Sequence, residues 1–398
     1  MIIRPVQYFL VFLFLQFNSS IFAQHANENL ANHPVANPEQ SKEQAFNAGE
    51  MIIEHIVDAY EWHILDYGDF HLSIPLPVII YHEGSLLTFM SGNFHHGHSP
   101  ALFDENKELI HADELIHNQH IAFGLAIMHS GAHKGKLAYI DVEQYLQNHQ
   151  IIENTEAGMP WDFSITKNVL SLWISLILIL WVFFGIAKSY KKRKGLAPKG
   201  IQSALEPFII FIRDDIAKES IGEKKYEKYL PYLLTIFFFI FFNNLLGLIP
   251  FFPGGANLTG NIAITLVLAL FTFIITNVSG NKNYWTHLVN APGVPWWLKI
   301  PIPLMPIVEL VGLITKPFVL MVRLFANITA GHIIVLGFIS LIFIFGNMSP
   351  VAGYGVSVVS IAFAIFLTFL EFLVALIQAY VFTLLSALYF GAATEEHH

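Results

Sequence analysis

The sequence has no cysteine and little charge. Without cysteine there is no disulfide framework, no thiolate-ligated zinc or iron–sulfur site and no thiol nucleophile. Asp, Glu, Lys and Arg make up 13% of the 398 residues, against roughly 25% in ordinary soluble domains. A net charge of −9 leaves no electrostatic footprint for nucleic acid. No glycine-rich phosphate loop ending in Lys-Ser or Lys-Thr is present, and no internal repeat is evident. Apolar residues take the place of charge: they reach 54%, with 36 Phe. That balance excludes a single water-soluble globule and implies several membrane spans.

The average conceals a division. Residues 24–160 hold 19 Asp and Glu but only 4 Lys, and 15 of the 19 His. The remainder holds 11 acids and 17 bases. An acidic, His-rich head at 24–160 is therefore expected to precede a membrane domain at 161–398. Ahead of both, Arg4, the apolar run Tyr8–Phe17 and Ala23 read as a secretory signal peptide over residues 1–23; an uncleaved anchor is the alternative. Either reading puts the head outside. Within the head, Glu50–Glu61 suggests a short helix. Leu72–Ile80 and Leu86–Met90 suggest strand pieces broken by Pro75, Pro77 and Gly84. The cluster His95-His96-Gly97-His98 is a weak candidate for zinc or copper, the other reading being a solvated surface.

Uncharged runs divide the body. Asn168–Ala187 lacks charge for 20 residues, about 30 Å as a helix, with Trp161 just before it. Residues 188–228 then carry 11 Lys and Arg, which the positive-inside rule assigns to the cytoplasm. Leu205, Phe208, Ile209, Ile212 and Ile216 recur at helical spacing, predicting an amphipathic helix over 201–218 on the cytoplasmic membrane surface. Further spans are expected near 229–249, 261–279, 300–346 and 351–392. The last two exceed the roughly 20 residues an upright span needs, so strong tilt or kinks are implied. The fold class is an all-α polytopic membrane protein with about five membrane helices and a small polar extramembrane domain. The C-terminus falls in the cytoplasm.

Polar groups inside those spans are few, and each is costly at mid-bilayer. They are Glu309, Lys316, Arg323, His332 and Glu371, with Asn243, Asn244, Asn261, Asn327 and Gln378. Arg323 keeps its proton and so is a fixed positive charge. Asn327 shares its helix face, His332 lies roughly opposite, and Glu371 and Gln378 share a face of the last helix. Structural readings stand beside these. Arg323 could ion-pair with Glu309 or Glu371, Lys316 could snorkel to the interface, His332 could be a hydrogen-bonded core residue, and the asparagines could bind helices together.

Arg323-Leu-Phe-Ala-Asn327-Ile-Thr-Ala-Gly331-His332 and Ile377-Gln378-Ala379-Tyr380-Val381-Phe382 resemble the signature of subunit a of F-type ATP synthases. Phe211-Ile-Arg213-Asp214, Asn244-Leu-Leu-Gly247-Leu-Ile-Pro250 and Thr259-Gly-Asn261-Ile-Ala-Ile-Thr265 resemble the family too, and the likeness covers about 161–395. In many members a Glu stands where His332 is and a His where Glu371 is; the exchange keeps one imidazole and one carboxylate. The resemblance implies a proton-translocating stator subunit of the Fo sector in a bacterial inner membrane, with the head periplasmic. It would offer two half-channels to a ring of c-type hairpin subunits, with b-type peripheral-stalk subunits as partners and F1 engaged indirectly. Arg323 would separate the half-channels, and His332, Glu371, Gln378, Asn327, Glu309 and Asn244 would line them. No cofactor and no nucleotide site is implied. An ion-coupled secondary transporter and a purely structural anchor are the rival classes. The transporter predicts internal symmetry, which the sequence lacks.

Overall fold

The computed structural model describes residues 48–67, 70–94, 99–110, 121–128, 133–249, 252–289 and 304–395. The expected signal peptide and the His95–His98 cluster lie outside them. The chain divides into two units: one contains residues 58–167, the other residues 168–398 together with helix α1 (Ala48–Ile56).

The head is built from strands. β1 (Glu61–Tyr67) and β2 (Phe70–Pro75) form an antiparallel pair. β3 (Pro77–His82) and β4 (Ser85–Met90) form a hairpin. Its two-residue turn, Glu83-Gly84, has positive φ at both positions, the geometry that matches strand twist. Gly84, read from sequence as a break, is thus the turn that creates the pairing. β5 (Ala101–Asp104), β6 (Leu109–Ile110), β7 (Ile121–Ile127) and β8 (Leu137–Ile140) follow, then helix α2 (Val142–Asn148) and β9 (Trp161–Asp162). The sheets are ordered β4-β3-β9 and β6-β5-β7-β8.

Strand alternation sorts the head core into two layers. Ala101, Phe103, Leu125, Leu137 and Tyr139 pack with Val78, Ile80 and Leu87 of the other sheet. The intervening Leu102, Ala126, Ala138 and Ile140 pack on the opposite face, with Val142 and Tyr145 of α2. The four-stranded sheet is therefore covered on both sides. The two ends of the head meet: Thr166 Oγ1 donates to Asp58 Oδ2 at 2.7 Å and Lys167 N donates to Ala59 O at 2.8 Å.

The helical unit follows the uncharged runs. Helix α3 spans Lys167–Lys192, α4 Ile201–Phe211, α5 Tyr226–Gly247, α6 Ile262–Val278, α7 Lys282–Val289, α8 Leu304–Met348 and α9 Pro350–Thr394. Among the described residues α3, α5, α8 and α9 are long and apolar enough to cross a membrane, and α6 is a shorter apolar helix. α8 and α9 are each 45 residues, about 67 Å at 1.5 Å per residue. A rod of that length lies within a hydrocarbon core about 30 Å thick only when steeply inclined. The two pack along each other and reverse at Ser349, where a Cβ on Gly353 would come within 2.8 Å of Gly346 Cα.

Residues 201–218 depart from expectation. α4 gives way to π-helical turns over Ile212–Lys218 and a short helical turn, Glu219–Ile221. Ile212 and Ile216 are fully buried, in one cluster with residues of α5 and α9. The predicted apolar face packs on the helix bundle, with Leu205, Phe208 and Ile209 set against the same cluster. The extra width of π turns brings Ile216 and Ala217 inward together. On the outer side Asp214 accepts from Arg213 Nη2 at 2.7 Å and pairs with Lys218 Nζ at 2.6 Å. Those two cations hold its carboxyl well below the usual carboxylate range.

Candidate functional site

The site is assembled on α5, α8 and α9. Midway along α8, Leu320, Met321, Leu324 and Ile328 are buried in the bundle core. Arg323, Ala326, Asn327 and Ala330 occupy the opposite, exposed face. Arg323 is therefore presented outward, with the small side chains of Ala326 and Ala330 on the turns that follow it. Among the described residues no ion pair or hydrogen bond joins it to Glu309 or Glu371, the two partners a structural role would have used.

One helical turn from Arg323 a cavity of about 350 Å³ opens between the three helices. Its polar wall consists of Asn244, Asn327, His332, Glu371 and Gln378. Five of the seven residues expected from sequence thus share one space. Gln378 is buried, and Glu371 and His332 are half-buried. Among the described residues Glu371 Oε1 has no hydrogen-bond partner although it is shielded from solvent. Such an atom is expensive to leave unsatisfied, and a polar cavity is roomy enough to supply water.

Packing aims each group. Asn244 donates from Nδ2 to Ala375 O at 3.4 Å and accepts from Thr259 Oγ1 at 2.5 Å. This fixes the amide between α5, α9 and the loop before α6. A Cβ at Gly331 would lie 2.5 Å from Glu371 Oε1, and one at Gly247 would lie 3.8 Å from His332 Nε2. Gly331 therefore leaves the room that the carboxylate occupies, whereas the imidazole stands at ordinary contact distance from Gly247.

Glu309 does not join this cavity. It lies 14 residues before Arg323 on α8, about 21 Å along the axis, half-buried. Between them Lys316 is exposed, with Nζ 5.6 Å from the centre of the Tyr389 ring. Near Lys316 and Tyr389, Tyr232 Oη meets Thr272 Oγ1 at 2.8 Å, and Thr272 meets Ser386 Oγ at 3.3 Å. Polar groups thus sit on both sides of Arg323 along α8, the cavity beyond it and this hydroxyl line before it.

Thr259, Gly331 and the Tyr232–Thr272–Ser386 line were not singled out from sequence. Thr259 and Gly331 lie inside the motifs quoted above. Hydroxyls in apolar helices carry no comparable signal, because most satisfy a backbone carbonyl one turn back. Among the described residues no three His, Asp or Glu groups are arranged to hold a metal ion.

A family described as ATP synthase A chain matches residues 169–391, and a second, described as a domain of unknown function, matches residues 51–163. ATP synthase subunit a of Chloroherpeton thalassium is 45% identical over 245 residues, covering 60% of this chain and 69% of the relative. ATP synthase subunit a 2 of Prosthecochloris aestuarii is 43% identical over 298 residues, 72% of this chain and 85% of the relative. Subunit a 2 of Chlorobaculum tepidum is 48% identical over 267 residues, 62% and 72% respectively. An alignment over 72% of the chain is longer than residues 168–398 and so takes in part of the head. The membrane helices, their motif order and these relatives agree: the chain belongs to the ATP synthase subunit a family.

Proposed function

We propose that the protein is the proton-translocating stator subunit of a rotary ATP synthase in a bacterial inner membrane, with Arg323 as the charge that divides its two proton half-channels. The observation that carries this reading is the cavity lined by His332, Glu371, Asn244 and Gln378, which ends at Asn327, one turn from an outward-facing arginine.

His332 and Glu371 can each take up and release a proton, so the cavity is suited to a relay. Asn244 and Gln378 can hold the waters between them. On the exposed face of α8, Arg323 would meet the mid-membrane carboxylates of a c-type ring. A protonated carboxylate crosses lipid at little cost and an ionised one does not. Next to Arg323 the ionised form is favoured, so the ring carboxylate gives up its proton there. The same fixed charge repels a hydrated proton that would otherwise pass straight through. Glu309, with the Tyr232–Thr272–Ser386 line, supports a second path on the other side of Arg323. Each charge crossing yields about 2.3 kcal/mol per 100 mV, so several must be summed by rotation for one ATP. The b-type stalk subunits would hold this chain against the ring and couple it to F1. The basic stretch 188–228 would face the cytoplasm, and a cleaved signal peptide would leave the head in the periplasm.

The test is Arg323→Ala in the assembled complex, with ATP-driven proton uptake and passive leak measured in membrane vesicles and ring association checked by co-purification. Lost uptake with intact assembly, together with a larger leak, is expected. Normal uptake would reduce Arg323 to a structural charge and end this reading.

A further inference from the structure

The head's two larger sheets are finished differently. The four-stranded sheet has the other sheet on one face and α2 on the other. In the sheet β4-β3-β9, Val78, Ile80 and Leu87 point into the core, and among the described residues nothing covers the other face. Tyr81 is paired with both Leu86 and Trp161, so the three side chains stand side by side on that uncovered face. Met90, paired with Pro77, lies on it, as does Phe163, whose N–H continues the ladder to Ile79 O at 2.8 Å. These residues are large and open to solvent: Trp161 is 70% exposed, Leu86 60%, Phe163 59%, Tyr81 46% and Met90 45%. None is charged, although the head around them is strongly acidic.

We propose that this face is a membrane-docking surface, seated in the phospholipid headgroup layer of the bilayer that α3 crosses. Three observations lead to lipid as its occupant. The composition, Trp and Tyr beside Leu, Met and Phe without charge, is that of side chains that settle at a membrane–water boundary. The tether is short: Asn168, where the uncharged run of α3 begins, follows Phe163 by five residue steps, at most about 17 Å of chain. The absence of acids on this one face removes the repulsion from lipid phosphate that the rest of the head carries. Adjacent strands lie about 4.8 Å apart, so Leu86 on β4 is about 10 Å beyond Trp161. Its depth is therefore not imposed by the tether and tests the surface itself. The inference is independent of the proton path and needs only α3 to span the bilayer.

The lack of native cysteine allows single labels on the full-length chain. Leu86→Cys and Met90→Cys would be labelled with bimane, with Glu105→Cys, exposed on the loop after β5, as the aqueous control. Each is reconstituted into phosphatidylcholine nanodiscs. Quenching is read with a nitroxide carried on the lipid headgroup and with aqueous iodide. Labels at 86 and 90 should be quenched severalfold more by the lipid nitroxide than the label at 105, and severalfold less by iodide. Iodide quenching at 86 and 90 equal to that at 105 overturns the proposal. Shielding of both labels from both quenchers also overturns it, because a second copy of the chain then covers the face. Two positions are used so that one perturbing label does not decide the result.

Discussion

Arg323 and Glu371 are handled in opposite ways by the helices that carry them. Arg323 is turned out on the exposed face of α8, with Ala326 and Ala330 following it there, whereas Glu371 is turned in, against a glycine. At Gly331 a methyl group would meet Glu371 Oε1 at 2.5 Å and Cγ at 3.1 Å. Gly331→Ala is therefore expected to push the carboxyl off its rotamer, at about 0.5–1.5 kcal/mol. If the relay passes through Glu371, proton uptake should fall roughly two- to tenfold while assembly and expression hold. Shortening the acid with Glu371→Asp in the same chain should recover part of the loss. Unchanged uptake in Gly331→Ala vesicles would remove Glu371 from the path. Arg323, His332 and Glu371 stand out in the sequence because ionisable side chains are so scarce between residues 309 and 395. The close approach of Gly331 to Glu371 does not: a glycine that supplies space looks like any other small residue until its neighbour across the helix pair is known.

At the scale of elements, the end of α9 is held by its surroundings. The last carbonyls of a helix have no partner within it. Here Lys225 Nζ donates to Thr394 O at 2.8 Å, Asn281 Nδ2 donates to the same oxygen at 2.9 Å, and Asn281 N donates to Ala393 O at 3.0 Å. Next to this cap Gly391 is pressed against the backbone carbonyl of Ser220, so closely that a Cβ would overlap it. A backbone oxygen cannot swing aside as a side chain can. Gly391→Val should separate α9 from the turn at 219–221, at a cost of about 1–3 kcal/mol. Limited trypsin digestion would show this as faster cutting at Lys224 and Lys225; wild-type cleavage rates would mean that the contact carries no stability. The spans themselves were readable, because lipid demands long uncharged runs and the sequence supplies them. The π turns over 212–218 were not, since they bury the same apolar positions that an α-helix would. Most head strands also escaped notice: Ala101–Phe103 and Leu137–Ile140 are buried on both faces, so the alternation that marks a half-exposed strand is missing.

At the scale of the molecule, the head brings its own pH response. His82 stands with its ring 4.1 Å from that of Phe123 and Nδ1 2.6 Å from Tyr139 Oη. Burial lowers its pKa, Glu83 opposes the shift and Lys107 adds to it. Above about pH 6.5 the imidazole is neutral in folded and unfolded chains alike. Below that, the unfolded chain takes up a proton that the folded head resists, so head stability falls as pH falls. Hydrogen exchange of β3, β7 and β8 in the full chain, compared between about pH 7.5 and pH 5.5, should show protection declining. His82→Gln should flatten that slope; an unaltered slope would assign the response to other groups.

The clasp between Asp58 and Thr166, and between Ala59 and Lys167, bears on ancestry. Where two ends of a domain lie a hydrogen bond apart, the polypeptide between them can be gained or lost with only a stitch at the seam. The head is thus an insert in the topological sense, and a gene lacking it would still run from α1 to α3 without a gap to bridge. The polypeptide between α1 and α3 can then vary while the membrane helices that follow it are kept.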